Sequence, residues 1–236
     1  MRGILLAIQF LTRLPTSQLA HFDPAELWRC SRWFPLVGLL IGAILAGASL
    51  LGSQIDPWLG AIAALAAWVW VTGALHLDGL ADMSDALGAA HRDPERFLAV
   101  LKDPHVGSFG VVALVLAIVT KLVLLMLVAG HGAWLALMLV PAWARLGTLV
   151  WSLALPPLAA GNGERFRWAI SWWQIGAWTL LLAAASVWLA PSLLAAPVLI
   201  ALYGLWLKRR LGGMTGDCLG AGVELVEIGL LLSLVR

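Results

Sequence analysis

The chain has 236 residues, 61% of them hydrophobic and only 12% charged, about half the charged share of an ordinary soluble domain. That composition excludes a water-soluble globular protein, and a net charge of +2 spread over short basic clusters argues against a nucleic acid partner. The two cysteines, Cys30 and Cys218, have no metal-ligand spacing and no disulfide setting.

A bilayer core of about 30 Å takes roughly 20 apolar residues per helical crossing, and the sequence supplies such runs repeatedly. Residues 1–33 come first: Arg2, an uncharged stretch from Gly3 to Thr12, then Arg13, with no small-residue cleavage site following. They read as a retained interfacial segment. Spans are predicted at Phe34–Gly52, Trp58–Leu77, Phe109–Ala129, Ala133–Leu155, Trp172–Ala190, Ser192–Leu207 and Ala221–Val235. The last two, at 16 and 15 residues, reach only about 22 to 24 Å at about 1.5 Å per residue and fall short of the hydrocarbon thickness.

Basic residues alternate between the connections. Arg29 and Arg32 precede the first span; Arg92, Arg96 and Lys102 follow the second; Arg165 and Arg167 follow the fourth; Lys208, Arg209 and Arg210 follow the sixth. The turns between carry none, so the positive-inside rule places every basic connection in the cytoplasm. The expectation is one all-α polytopic bundle of about seven transmembrane helices, a single domain over 1–236, with 76–108 as a cytoplasmic catalytic loop. Tryptophans near span ends, Trp33, Trp58, Trp134, Trp172 and Trp188, fit anchoring at the lipid interface. Gly38 and Gly42 form a small-xxx-small pair suited to helix packing. The spans do not divide into similar halves, which weakens a repeat-built carrier.

Six of the thirteen acidic residues lie between Asp78 and Asp103. Asp78, Asp82 and Asp85 stand at i, i+4 and i+7, within a wedge of about 60° on one helix face. Three carboxylates aimed together repel unless a cation sits among them. An all-oxygen set favours Mg²⁺, with Mn²⁺ as the substitute, since Mg²⁺ takes one or two carboxylates, keeps water and bridges to phosphate. The bland alternative is a solvated acidic face, but Asp78 directly follows an apolar span.

A second constellation runs from Gly212 to Glu227, GGMTGDCLGAGVELVE. Asp217 and Glu224 are seven apart, and Glu224 and Glu227 lie in an otherwise apolar run. Such acids need partners, and Lys121 and Arg145, themselves charges in apolar spans, are candidates alongside the metal site. Arg92, Arg96 and Lys102 supply cations suited to phosphate oxygens, and His76 and His105 flank the acidic stretch. There is no Gly-x4-Gly-Lys-Ser/Thr phosphate loop, no dinucleotide fingerprint, no zinc-protease helix motif and no nucleophile elbow. A direct metal-assisted displacement is therefore favoured over a covalent intermediate. The residues alone also leave open a cation-coupled carrier of a corrinoid or other solute, and a scaffold for soluble enzymes.

At these residues the chain resembles the cobalamin synthase family, the adenosylcobinamide-GDP ribazoletransferases. The resemblance is carried by FLTRLP from Phe10, FPLVGLLIG from Phe34, HLDGLAD from His76, DPHVGSFG from Asp103 and TGDCLGAGVEL from Thr215. Met83 and Ala86 stand where the family more often has Thr and Gly, and the loop GNGERF from Gly161 receives no role. The resemblance implies a bacterial inner-membrane transferase whose site faces the cytoplasm. It would join adenosylcobinamide-GDP to α-ribazole or its 5′-phosphate, releasing GMP, with Mg²⁺. It further implies Asp78, Asp82 and Asp85 as the metal motif and Asp217 as a second acidic motif. Asp82, Asp85 and Asp217 are expected to be catalytic, and His76, Arg92, Lys102, Arg145 and Glu224 to contact substrate. Lipid is the expected surrounding, with a second copy of the chain or soluble enzymes of the pathway as protein partners.

Overall fold

The computed structural model describes residues 2–17, 29–90, 93–159 and 170–235. Among them run ten α-helices: α1 (Arg2–Leu11), α2 (Phe34–Ser53), α3 (Pro57–Thr72), α4 (Leu75–Ala90), α5 (Pro94–Val100), α6 (Ser108–Gly130), α7 (Val140–Ala154), α8 (Trp172–Leu189), α9 (Ala196–Arg210) and α10 (Gly216–Leu234). Single 3-10 turns lead into α2, α7 and α9. The polytopic all-α architecture is as expected. Five of the described segments are long and apolar enough to cross a membrane, Ser31–Ser53, Ser108–Gly130, Trp134–Ala154, Trp172–Leu189 and Pro191–Arg210, and the α3–α4 pair makes six if it is one bent span. Helix α10 has 19 residues but carries Asp217, Glu224 and Glu227.

Two expectations change. The last two predicted segments form longer helices than expected. With its leading turn the sixth has 20 residues, and α10 starts at Gly216, not Ala221, because the Thr215 hydroxyl accepts from the Cys218 amide at 3.3 Å. The second span, expected to run unbroken to Leu77, stops at Thr72, and α4 leaves α3 at 83°. Gly73 at φ 60° and Ala74 at φ 61° are both left-handed, which no right-handed helix tolerates. For Ala74 this conformation costs about 1–2 kcal/mol, so surrounding contacts must hold it. The Arg13 amide donates to the Val71 carbonyl at 2.7 Å, and the Arg13 side chain lies over Gly73 so closely that a Cβ there would strike Nε. The expected loop at 76–108 is thus largely helical, with Asp93 capping α5 through bonds from the Glu95 and Arg96 amides.

Helix α7 is the buried axis, its Trp143, Arg145 and Trp151 almost wholly enclosed. Against it α2 packs through the glycine pair: a Cβ on Gly38 would lie 2.5 Å from the Ala142 Cα, and one on Gly42 2.6 Å from that of Met138. Trp143 donates to the Ser186 hydroxyl at 3.0 Å and Trp151 to the Ile200 carbonyl at 2.8 Å. These bonds tie α8 and α9 to the axis. Trp58, Trp172 and Trp188 are exposed as interfacial anchors should be. Helix α10 packs on α4, α6 and α7, which brings the two acidic stretches of the sequence together.

Candidate active site

Helix α4 runs across the N-terminal ends of α10 and α6, and its carboxylates are set by those two crossings. At the first crossing Gly79 meets Gly220; a Cβ on Gly79 would sit 3.0 Å from the Asp217 carbonyl oxygen and 3.2 Å from its Cα. A side chain there would push the two helices apart by a few tenths of an ångström. Asp78, next to Gly79, and Asp217, in the first turn of α10, thereby line one cavity. At the second crossing Asp85 accepts from the Gly107 amide at 2.7 Å and the Gly110 amide at 2.8 Å. It caps α6 from another helix, and Cβ atoms at either glycine would collide with its carboxylate. The expected metal ligand Asp85 thus has both oxygens already engaged by backbone.

Asp82 lies between these crossings. Its carboxyl is pushed up from 3.8 to about 6, first by burial and then by the charges of Asp78, Asp217 and Asp85. Burial, with Asp78 adding, also raises that of Asp217. None of the four aspartates forms an ion pair with a Lys or Arg among the described residues. Nor do three His, Cys, Asp or Glu side chains there converge as a ready-made metal cage. Mg²⁺ requires no such cage, since one or two carboxylates and retained water suffice. Carboxyls crowded together without a described counter-charge are donor chemistry that suits a hard divalent cation, and Asp78, Asp82 and Asp217 would supply it.

The cavity beside them holds about 240 Å³. Exposed Asp78 and half-buried Asp217 stand at its mouth, and Phe34, Leu149 and Leu219 are buried in its walls. Phe10 stacks on Phe34, ring centroids 5.7 Å apart and planes 4° from parallel, so FLTRLP serves both the cavity and the α3–α4 break. His76 lines the cavity as well. Its Nδ1 is 3.2 Å from Nη2 of Arg145. A guanidinium only donates, so Nδ1 accepts and the imidazole is neutral with its proton on Nε2.

The other expected substrate contacts lie elsewhere. Arg145 is fully enclosed and bonds Glu227, while Lys121 Nζ sits 2.6 Å from Glu224 and 2.5 Å from Glu227. Lys121 also stands 4.2 Å from the centre of the Trp68 ring. Neither Arg145 nor Glu224 lines the cavity; Arg145 touches its wall residue His76, and Glu224 is paired with Lys121. Lys102 is exposed in the turn after α5, and His105 pairs on the surface with Asp103 at 2.7 Å, whose carboxyl that bond holds low. Arg92 lies outside the described residues, as does the GNGERF loop. Sequence reasoning missed Phe10, Phe34, Thr148 and Ser152 as cavity walls, and the Gly107–Gly110 spacing as the socket for Asp85. That spacing, N-cap and third turn position, was a readable signal.

The Gly79 crossing gives a direct test. Gly79→Ala is expected to shift α4 from α10 by a few tenths of an ångström and lower turnover about ten- to hundredfold. The fold should persist, checked by kcat beside an unchanged gel-filtration profile. Full activity would mean that the Asp78–Asp217 spacing is immaterial.

A family profile described as cobalamin-5-phosphate synthase matches residues 3–235. Three curated proteins called adenosylcobinamide-GDP ribazoletransferase are similar over nearly the whole chain. That of Laribacter hongkongensis is 62% identical over 98% of this chain and 96% of its own. That of Thiobacillus denitrificans is 54% identical over 98% and 94%, and that of Novosphingobium aromaticivorans 55% over 99% and 96%. No solved structure matches.

Proposed function

Since the chain belongs to the cobalamin-5-phosphate synthase family, we propose that it transfers the phosphocobinamide part of adenosylcobinamide-GDP to α-ribazole or its 5′-phosphate. GMP leaves, and adenosylcobalamin or its 5′-phosphate is formed. We further place the reaction at the cytoplasmic face of a bacterial inner membrane. The transferase relatives displace the carrier reading.

In the reaction a ribazole hydroxyl oxygen bonds to the phosphorus nearer the cobinamide, the bridging P–O bond to GMP breaks, and the hydroxyl loses its proton. Asp78 and Asp217, held together by the Gly79–Gly220 crossing, would bind the divalent cation with Asp82 beside them. When bound, Mg²⁺ or Mn²⁺ supplies charge neutralisation on the pyrophosphate and Lewis acidity at phosphorus. Asp82 accepts the hydroxyl proton, a role suited to a carboxyl raised to about 6. Asp85 fixes the start of α6 against α4. His76, its proton on Nε2, is a neutral hydrogen-bond donor at the cavity wall.

The observation that supports this reading best is the crowding of Asp82 by Asp78 and Asp217, which line one mostly apolar cavity, with no described cation partner. Its test is GMP release from adenosylcobinamide-GDP and α-ribazole by the purified protein in lipid. Release is expected with Mg²⁺ and should fall to background with chelator. Metal-independent release would remove the cation from the scheme, and no release by well-folded protein would remove the transferase assignment.

A further inference from the structure

We propose that the cavity walled by Phe10, Phe34, Leu149 and Leu219 seats the base of the acceptor nucleoside, a flat, uncharged, two-ring aromatic, and that its width decides which bases are accepted. This rests on the transferase reading above.

Size comes first. An engineered cavity of about 150 Å³ lined by Leu, Ile and Phe takes benzene. The present one, at about 240 Å³, has room for a fused pair of rings and none for a corrin macrocycle. The corrinoid must therefore lie outside it, and the cavity belongs to a smaller part of the substrates.

Wall chemistry then selects among the three bases in the reaction, that of the acceptor and the adenine and guanine of adenosylcobinamide-GDP, adenine like guanine bearing several polar edge atoms. Guanine carries several donors and acceptors on its edge, each costly to bury without a partner. The walls are mostly apolar, and of their hydroxyls that of Thr148 already donates to the Arg145 carbonyl at 2.7 Å. A benzimidazole nucleoside has a single free ring nitrogen to satisfy. The Ser152 hydroxyl, or the Nε2 proton of His76, meets that one requirement. The stacked Phe10 and Phe34 rings offer an aromatic wall of the kind on which a planar base settles.

Direction agrees with chemistry. The buried Phe34, Leu149 and Leu219 line the same cavity as the more exposed Asp78 and Asp217. A base seated against those buried residues leaves its sugar toward Asp78 and Asp217, whose charges act on the neighbouring Asp82. Affinity for the acceptor and correct placement of its nucleophile thus come from one seat.

The test narrows the cavity at a buried wall residue. Leu149→Phe should raise KM and Kd for α-ribazole, whose base carries two methyl groups, about tenfold or more. The effect should be smaller for the unsubstituted benzimidazole nucleoside, and KM for adenosylcobinamide-GDP should not move. Leu75→Trp narrows the mouth at a residue 40% exposed, where a larger side chain is tolerated, and carries the test if Leu149→Phe fails to insert. Binding is measured by equilibrium dialysis of each nucleoside with protein in lipid discs, without the corrinoid substrate. Equal losses for both nucleosides, or a rise confined to the corrinoid, would overturn the assignment. A wild type that binds α-ribazole size-selectively but releases no GMP would support the seat and instead remove the transferase reading.

Discussion

Asp82→Asn is expected to lower GMP release about 10²- to 10⁴-fold, the usual contribution of a positioned proton acceptor, while making the cation-free protein slightly more thermostable. The two effects share one cause. The Asp82 carboxyl is raised to about 6 by burial and by Asp78, Asp217 and Asp85, so holding it ionised in the folded chain works against folding. Asparagine removes the charge and keeps the shape. Because Asp82 is partly solvated, screening keeps the gain small, below about 1 kcal/mol, or a few degrees at most in thermal midpoint. The pH dependence has a definite sign. A carboxyl whose folded value exceeds its unfolded one costs stability at pH values above the folded value. That cost is relieved as pH falls from about 6 toward 3.8. The difference in midpoint between variant and wild type should accordingly be largest near pH 7.5 and vanish near pH 4. Added Mg²⁺ should raise the wild-type midpoint by binding only the folded chain, and should raise it less in Asp78→Asn or Asp217→Asn. An Asp82→Asn protein that turns over normally would sink the proton-acceptor role; one that is inactive and less stable would mark Asp82 as a structural residue.

Why the spans and the acidic face were legible, and the cavity was not, follows from what each depends on. Apolar runs such as Phe109–Ala129 need no partner to be recognised, because lipid is their solvent. Asp78, Asp82 and Asp85 share a face through helix periodicity alone, so their alignment is local. What Asp85 does with its position is not local: its two amide donors lie 22 and 25 residues downstream. Similarly, the break between α3 and α4 sits at Gly73–Ala74 within an unbroken apolar run, and the Arg13 segment packed over it holds it there. An alanine at positive φ has no mark in sequence. Phe10 and Phe34 read as an amphipathic helix and a span start, and only the return of α1 against α2 makes them two faces of one wall. The family resemblance located the motifs, FLTRLP and TGD among them, without saying which are chemical and which hold the frame.

The buried charges of α6, α7 and α10 are the second place where a large effect is expected. Lys121, Arg145, Glu224 and Glu227 are all below 5% exposed, and together they sum to zero charge. Lys121→Met alone leaves two glutamates to one guanidinium and should destabilise by about 3–5 kcal/mol, the usual result of removing one partner from a buried pair. In detergent this appears as a large fall in thermal midpoint or failure to insert. Lys121→Met combined with Glu224→Leu deletes a matched pair and leaves Arg145 bonded to Glu227, so stability should return close to wild type. Turnover decides what the network is for. If it exists to fix helix packing and to hold Arg145 on Nδ1 of His76, the double variant should retain most GMP release, whereas Glu227→Gln, which frees Arg145, should not. Loss of release in a double variant as stable as wild type would show that Lys121 or Glu224 takes part in the reaction itself. The membrane-depth ions would then belong with the aspartates at the cavity mouth, joined to them through His76.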